Sequence, residues 1–103
     1  MSISPAKVRE LVANLPGAAE SAHHGHPDFR VGKKIFATLS EAEDRAALRL
    51  SQLEARELAR GQPAVFRLVS DREPYAYVSV LLDAVAEDEF ADLLEHAWQL
   101  RAG

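Results

Sequence analysis

The sequence predicts an α+β fold, a two-layer α-β3-α-β2-α sandwich with one antiparallel five-stranded sheet and helices on one face. Three observations predict it. Short segments alternate apolar and polar residues with the period of a strand, longer ones repeat apolar residues every three or four positions, and turn residues separate the two kinds. At 103 residues the chain suits a single domain spanning 1–103, without repeat, linker or low-complexity segment.

The first helix is written in SPAKVRELVANLPG. Ser4 can cap it, Pro5 fits a first helical position where the missing N–H costs nothing, and Pro16-Gly17 stops it. Val8, Leu11, Val12 and Leu15 form one stripe. A strand is expected near Glu20–His24, then a turn through Gly25, His26 and Pro27, then a short extended piece. KKIFATLS sets Ile35, Ala37 and Leu39 against Phe36 and Thr38, and RAALRLS sets Ala46, Leu48 and Leu50 against Arg45, Ala47 and Arg49. Both are strand patterns, joined by the polar loop EAED.

Ser51 with Glu54 three residues on is a capping-box signature for the second helix, in which Leu53, Leu58 and Ala59 can cover the core and Gly61 ends the run. VFRLVS and YAYVSVLL are strands flanking a turn in DREP. The last helix, from about Ala86 to Leu100, lines up Phe90, Leu93, Leu94, Ala97 and Trp98 on one face.

Composition narrows the functional classes. There is no cysteine, which removes disulfides, thiolate catalysis and Cys-ligated zinc. No apolar run reaches the roughly 18 residues of a membrane helix, so no membrane partner is expected. MSISPAKVREL shows no basic-then-apolar leader pattern, and a cytoplasmic location is expected. The net charge is -4, yet Asp83, Glu87, Asp88, Glu89, Asp92 and Glu95 fall in one stretch without Lys or Arg. The rest of the chain carries ten acids against twelve bases, mildly basic and short of a strongly basic footprint. Three of the acids sit in the first turn of the last helix, where they complement its dipole.

The stretch HHGHPDFRVGKKIF concentrates chemistry-bearing residues. His24, His26 and Asp28 are a conceivable small-ligand or metal site, because neutral imidazole binds zinc or nickel. The ligand count is not met locally, so a hydrogen-bonded turn is preferred and no metal or cofactor is expected. GKK at 32–34 lacks the frame of a P-loop, and no serine stands in a G-x-S-x-G elbow. Enzyme activity has no positive support.

The outward side of the strands is richer. Phe36, Thr38, Arg45, Ala47, Arg49, Arg67, Tyr75, Tyr77 and Ser79 alternate with the core set. Aromatics interleaved with arginines suit base stacking and phosphate neutralisation, a protein interface, or ordinary cross-strand pairing. Arg30, Lys33 and Lys34 extend the basic surface at the hairpin mouth.

HGHPDFRVGKKIFATL resembles the signature of the MmcQ/YjbR-like family of small bacterial proteins. LPGAAES is similar to its LPGxxE stretch. AVFRLV and PYAYVSVLLDAVAEDEFADLLEHAW resemble its closing strands, D-x-[VL] turn and final helix with Trp98. His24 replaces the usual aromatic before GHPDF. The resemblance implies an α-β3-α-β2-α fold similar to secretion-chaperone-like domains. It also implies DNA binding, on grounds of a double-wing shape. It marks His24, Gly25, His26, Pro27, Asp28, Phe29, Arg30, Gly32, Lys34 and Phe36, with Gly25 and Pro27 setting the turn and Phe29 and Phe36 packing.

The leading expectation is therefore a non-catalytic DNA-binding domain. Arg30, Lys33, Lys34, Arg45, Arg49 and Arg67 would meet phosphates, and Tyr75 and Tyr77 would stack. The alternative is a protein-interaction or self-associating module using the same face.

Overall fold

The computed structural model describes residues 3–23 and 25–103. Helices α1 (Pro5–Ala13), α2 (Gln52–Gly61) and α3 (Glu87–Ala102) accompany strands β1 (Ala18–His23), β2 (His26–Val31), β3 (Lys34–Leu39), β4 (Arg45–Ser51), β5 (Phe66–Arg72) and β6 (Tyr75–Leu81). The α+β class is as expected, but the sheet has six strands rather than five, in the order β1-β2-β3-β4-β6-β5. Every neighbouring pair is antiparallel.

The extra strand is β2. His26 and Pro27, expected in a turn, pair with His23 and Ala22 as its first residues. The period-2 signal is hidden there because Asp28 and Phe29, neighbours in sequence, are both fully buried. The turn before it closes through Gly25, whose φ of +81° is the left-handed conformation that suits glycine. His24 lies outside the described residues. At the next hairpin Gly32 and Lys33 both have positive φ, 58° and 68°, the pattern of a tight type I′ connection whose twist matches the strands.

Local signals place the helices. Ser4 accepts a hydrogen bond from the Lys7 amide at 3.1 Å, and Ser51 accepts one from the Glu54 amide at 3.2 Å. The second half of the capping box differs from expectation, since the Glu54 carboxylate reaches His96 of α3 at 2.8 Å instead of turning back. Leu53, expected to cover core, is 69% exposed, and Ala55 is the buried residue of α2. On α2, Leu53 sits two residues before Ala55, about 200° round the helix, and so faces away from the stripe of Ala55, Leu58 and Ala59 that faces the sheet.

β4 and β5 are parallel, because each is antiparallel to β6 between them. Joining them requires a crossover, and α2 supplies it, packing on β4, β5 and β6. α3 covers β2, β3 and β4, burying Phe90, Leu93, Leu94 and Ala97. Trp98 ties it to the turn between α1 and β1 by donating to the Pro16 carbonyl at 2.9 Å. The core lies between this helical layer and the sheet.

A register shift at Phe29/Arg30 breaks the alternation of β3. Phe29 faces Ala37 and Arg30 faces Ile35, so Phe36 has no partner of its own. Such a bulge inserts one residue and lets two consecutive side chains leave strict alternation. Phe36 is fully buried with Ala37, as the family resemblance implied, and not on the outward side where simple alternation put it.

An acid-sensitive clasp joins α2 to the sheet edge. Asp71 accepts from Arg56 Nε at 2.8 Å and from Gln52 Nε2 at 2.8 Å. The Arg56 hydrogen bond first, and that of Gln52 second, hold its carboxyl below the ordinary 3.8. A depressed folded-state value means the contribution is present above the unfolded value and lost as pH falls through the folded one. Acid unfolding should therefore show the clasp releasing below about pH 4. Arg56→Gln should lose less stability than wild type over that window, measured by chemical denaturation at each pH.

Candidate nucleic-acid interface

The face of β4, β6 and β5 turned away from the helices is set by register. Residues directly opposite in antiparallel strands project to one side. Arg49 is opposite Tyr77, Ala47 opposite Ser79, and Ser51 opposite Tyr75. Across β6, Arg67 faces Ser79, Ser70 faces Tyr77 and Arg72 faces Tyr75. Thr38 joins the face through its pairing with Ala47. Asp71 pairs instead with Ala76, on the core side, where its Arg56 clasp lies. This half of the face therefore bears four arginines, two tyrosines and no acid.

Five of the expected binding residues, Arg45, Arg49, Arg67, Tyr75 and Tyr77, are brought together here. Arg67 and Arg72 are exposed, while Arg45, Tyr75 and Tyr77 are half-buried. Arg49 is only 9% exposed. Its guanidinium carbon lies 3.5 Å from the centroid of the Tyr75 ring, a cation–π stack made diagonally across the strand pair. Its Nη1 is buried without a hydrogen-bond partner. Arg45 donates from Nη1 to the Ser79 hydroxyl at 3.3 Å.

Charge pairing separates these arginines from four of the eight other Lys and Arg residues. Lys7 meets Glu10 and Glu87, Arg9 meets Glu20 and Glu43, and Arg56 meets Asp71. Those carboxylates raise the affinity of each cation for its proton, chiefly through the hydrogen bonds. Among the described residues, Arg45, Arg49, Arg67 and Arg72 form no ion pair with any carboxylate.

Arg30 stands apart from the set. Its Nε and Nη2 hold the two oxygens of Asp28 at 2.9 and 3.1 Å, and Asp28 is fully buried. The pair raises the Arg30 guanidinium above its ordinary value. A buried carboxylate needs such a partner, because leaving it uncompensated is costly. Arg30 is thus committed within the fold before any ligand arrives. Lys33 and Lys34 are exposed at the β2–β3 tip. With Ala37 opposite Leu48, that tip lies toward the Ser51 end of β4, the end that also holds the Glu73-Pro74 turn.

The histidine region forms a different feature. A hollow of about 270 Å³ is lined by His26, Asp28, Thr38, Leu39 and Ser40. Ser40 is occupied, accepting from the Asp44 and Arg45 amides and donating to the Asp44 carboxylate. Asp28 is occupied by Arg30. His24 lies outside the described residues, and among those described no group of three His, Asp or Glu side chains is placed to hold a metal. Gly25 and Gly32 serve the turns and Phe29 and Phe36 the core, whereas Pro27 pairs with Ala22 inside β2 instead of setting the turn.

Two features were missed in the sequence. Arg72 was hidden in the DREP loop, although counting back in twos from Tyr77 and Tyr75 across a two-residue turn finds it. The His96–Glu54 pair, which lines a hollow of about 290 Å³ with Ser51, Gln99 and Leu100, joins residues too far apart in the chain for any spacing rule.

Comparison with known proteins follows the same lines. The family model described as YjbR matches residues 13–100. The crystal structure of Deinococcus radiodurans protein DR2400, with family-model domain DUF419, superposes with a TM-score of 0.83. It shares 21% identity, over 94% of this chain and 77% of that one, a likeness that shows the fold. No curated protein matches the chain. Among the described residues no helix is long and apolar enough to cross a membrane.

Proposed function

Because the chain belongs to the YjbR family, we propose that it is a nucleic-acid-binding domain that engages DNA through the outward face of β4, β6 and β5. One observation carries this reading: four arginines without carboxylate partners share the acid-free β4–β6–β5 half of the face with two tyrosines, whereas Lys7, Arg9, Arg30 and Arg56 are neutralised. Unpaired guanidinium groups attract polyanions, and the release of condensed counterions supplies the free energy. Lys33 adds charge at the adjoining tip, while Lys34, opposite the core-packed Val31, lines a hollow with Arg101 on the α3 side. The acidic first turn of α3 lies on the helical side, away from the approaching backbone.

Fluorescence anisotropy with labelled oligonucleotides tests the reading. Affinity should fall linearly on a log–log plot against salt, with a slope of roughly −3 to −4 if Arg45, Arg67, Arg72 and Lys33 neutralise phosphates. Absence of binding to both single-stranded and duplex DNA at low salt overturns it.

A further inference from the structure

Resting on that reading, we propose that the ligand is a single-stranded nucleic acid, one of whose bases stacks on Tyr77 beside the Arg49–Tyr75 pair. Duplex recognition needs an element that enters a groove, most often a basic helix. No helix here offers one. α3 opens with Glu87, Asp88 and Glu89, the α1 cations Lys7 and Arg9 are tied to carboxylates, and in α2 Arg56 is held by Asp71. α2 keeps one exposed cation without an ion pair, Arg60, and a single charge does not make a basic helix, whereas four such arginines share the sheet surface.

A sheet with central aromatics and peripheral arginines is what an unpaired strand requires, because an exposed base has a π-face to stack and a duplex hides it. Tyr77 is placed for this. It is the middle strand's central residue on the face, with Arg49 directly across on β4 and Ser70 across on β5. Its other neighbours on the face include Ala47 and Ser79, both too small to screen the ring. Arg49 leans over Tyr75 rather than over Tyr77. The unpartnered Nη1 of Arg49 is a second, independent sign: a donor nine-tenths buried beside an aromatic platform lacks the acceptor that a base edge or phosphate oxygen would bring once the side chain shifts. Arg45, Arg67 and Arg72 surround the platform and match phosphates on either side.

The decisive measurement compares four forms of one oligonucleotide on the full chain: single-stranded DNA, single-stranded RNA, the DNA duplex, and a single strand with abasic sites in the middle. The base-bearing DNA or RNA strand should bind at least about ten-fold tighter than the duplex, and abasic sites should weaken binding about 5- to 150-fold, the range of one lost stack. The DNA and RNA arms identify the sugar. Tyr77→Ala should reproduce the abasic loss and Tyr77→Phe should not, which separates stacking from a fold defect. Duplex binding as tight as the single strand, or abasic binding as tight as the base-bearing strand, overturns the proposal while the salt-dependent DNA reading stands. No binding in any arm removes both.

Discussion

Phe36→Ala is expected to destabilise the protein by about 3–5 kcal/mol, the usual cost of emptying a buried phenylalanine site. For a domain of this size that lowers the thermal midpoint by well over about 10 °C. The alternation of KKIFATLS would have placed Phe36 beside Thr38 on the outward face, where truncation costs within about 0.5 kcal/mol. The two placements therefore differ in effect several-fold. The bulge at Phe29/Arg30 decides between them by leaving Phe36 unpaired and fully buried. Thr38→Ala, at a half-exposed position, is the matched control. A Phe36→Ala midpoint within about 3 °C of wild type would mean that the core does not extend to this residue.

The second large effect concerns the arginines. Replacing Arg45, Arg67 and Arg72 together with glutamine should lower DNA affinity at low salt on the order of 100-fold and reduce the salt slope by about 2–3. Glutamine keeps most of the side-chain length, and none of the three belongs to the buried core, so circular dichroism should show an unchanged fold. Arg49 is left in place because its stack on Tyr75 and its burial make it part of the sheet's own packing. Arg9→Gln with Arg56→Gln is the control. It removes two positive charges that already face carboxylates, and affinity should change less than about three-fold, since paired cations release few counterions. Equal losses from both variants would show that net charge, and not this face, governs binding.

Much of the architecture is legible along the chain because it rests on local physics. Ser4 and Ser51 cap helices through amides three residues away, which a sequence displays directly. The stripe of Phe90, Leu93, Leu94 and Ala97 declares one buried helical face. The outward group of Arg45, Arg49, Tyr75 and Tyr77 also follows from counting in twos, since β4 and β6 keep regular register throughout. Where register is irregular, counting fails. The bulge in β3 misplaces Phe36, and the two-residue Glu73-Pro74 turn, shorter than the DREP loop suggests, hides Arg72.

The sequence alone determined the α+β class, the helix starts, the apolar stripes and an alternating Arg/Tyr set, because each depends on residues within one or two turns of one another. The tertiary structure alone decided which cations remain free. Arg9 and Arg45 look alike in the chain, yet Arg9 is spent on Glu20 of β1 and Glu43 of the β3–β4 loop, while Arg45 stands on the half of the face that bears no acid. Ion pairing depends on distances between side chains brought together by strand register and helix packing, and a linear spacing does not encode it.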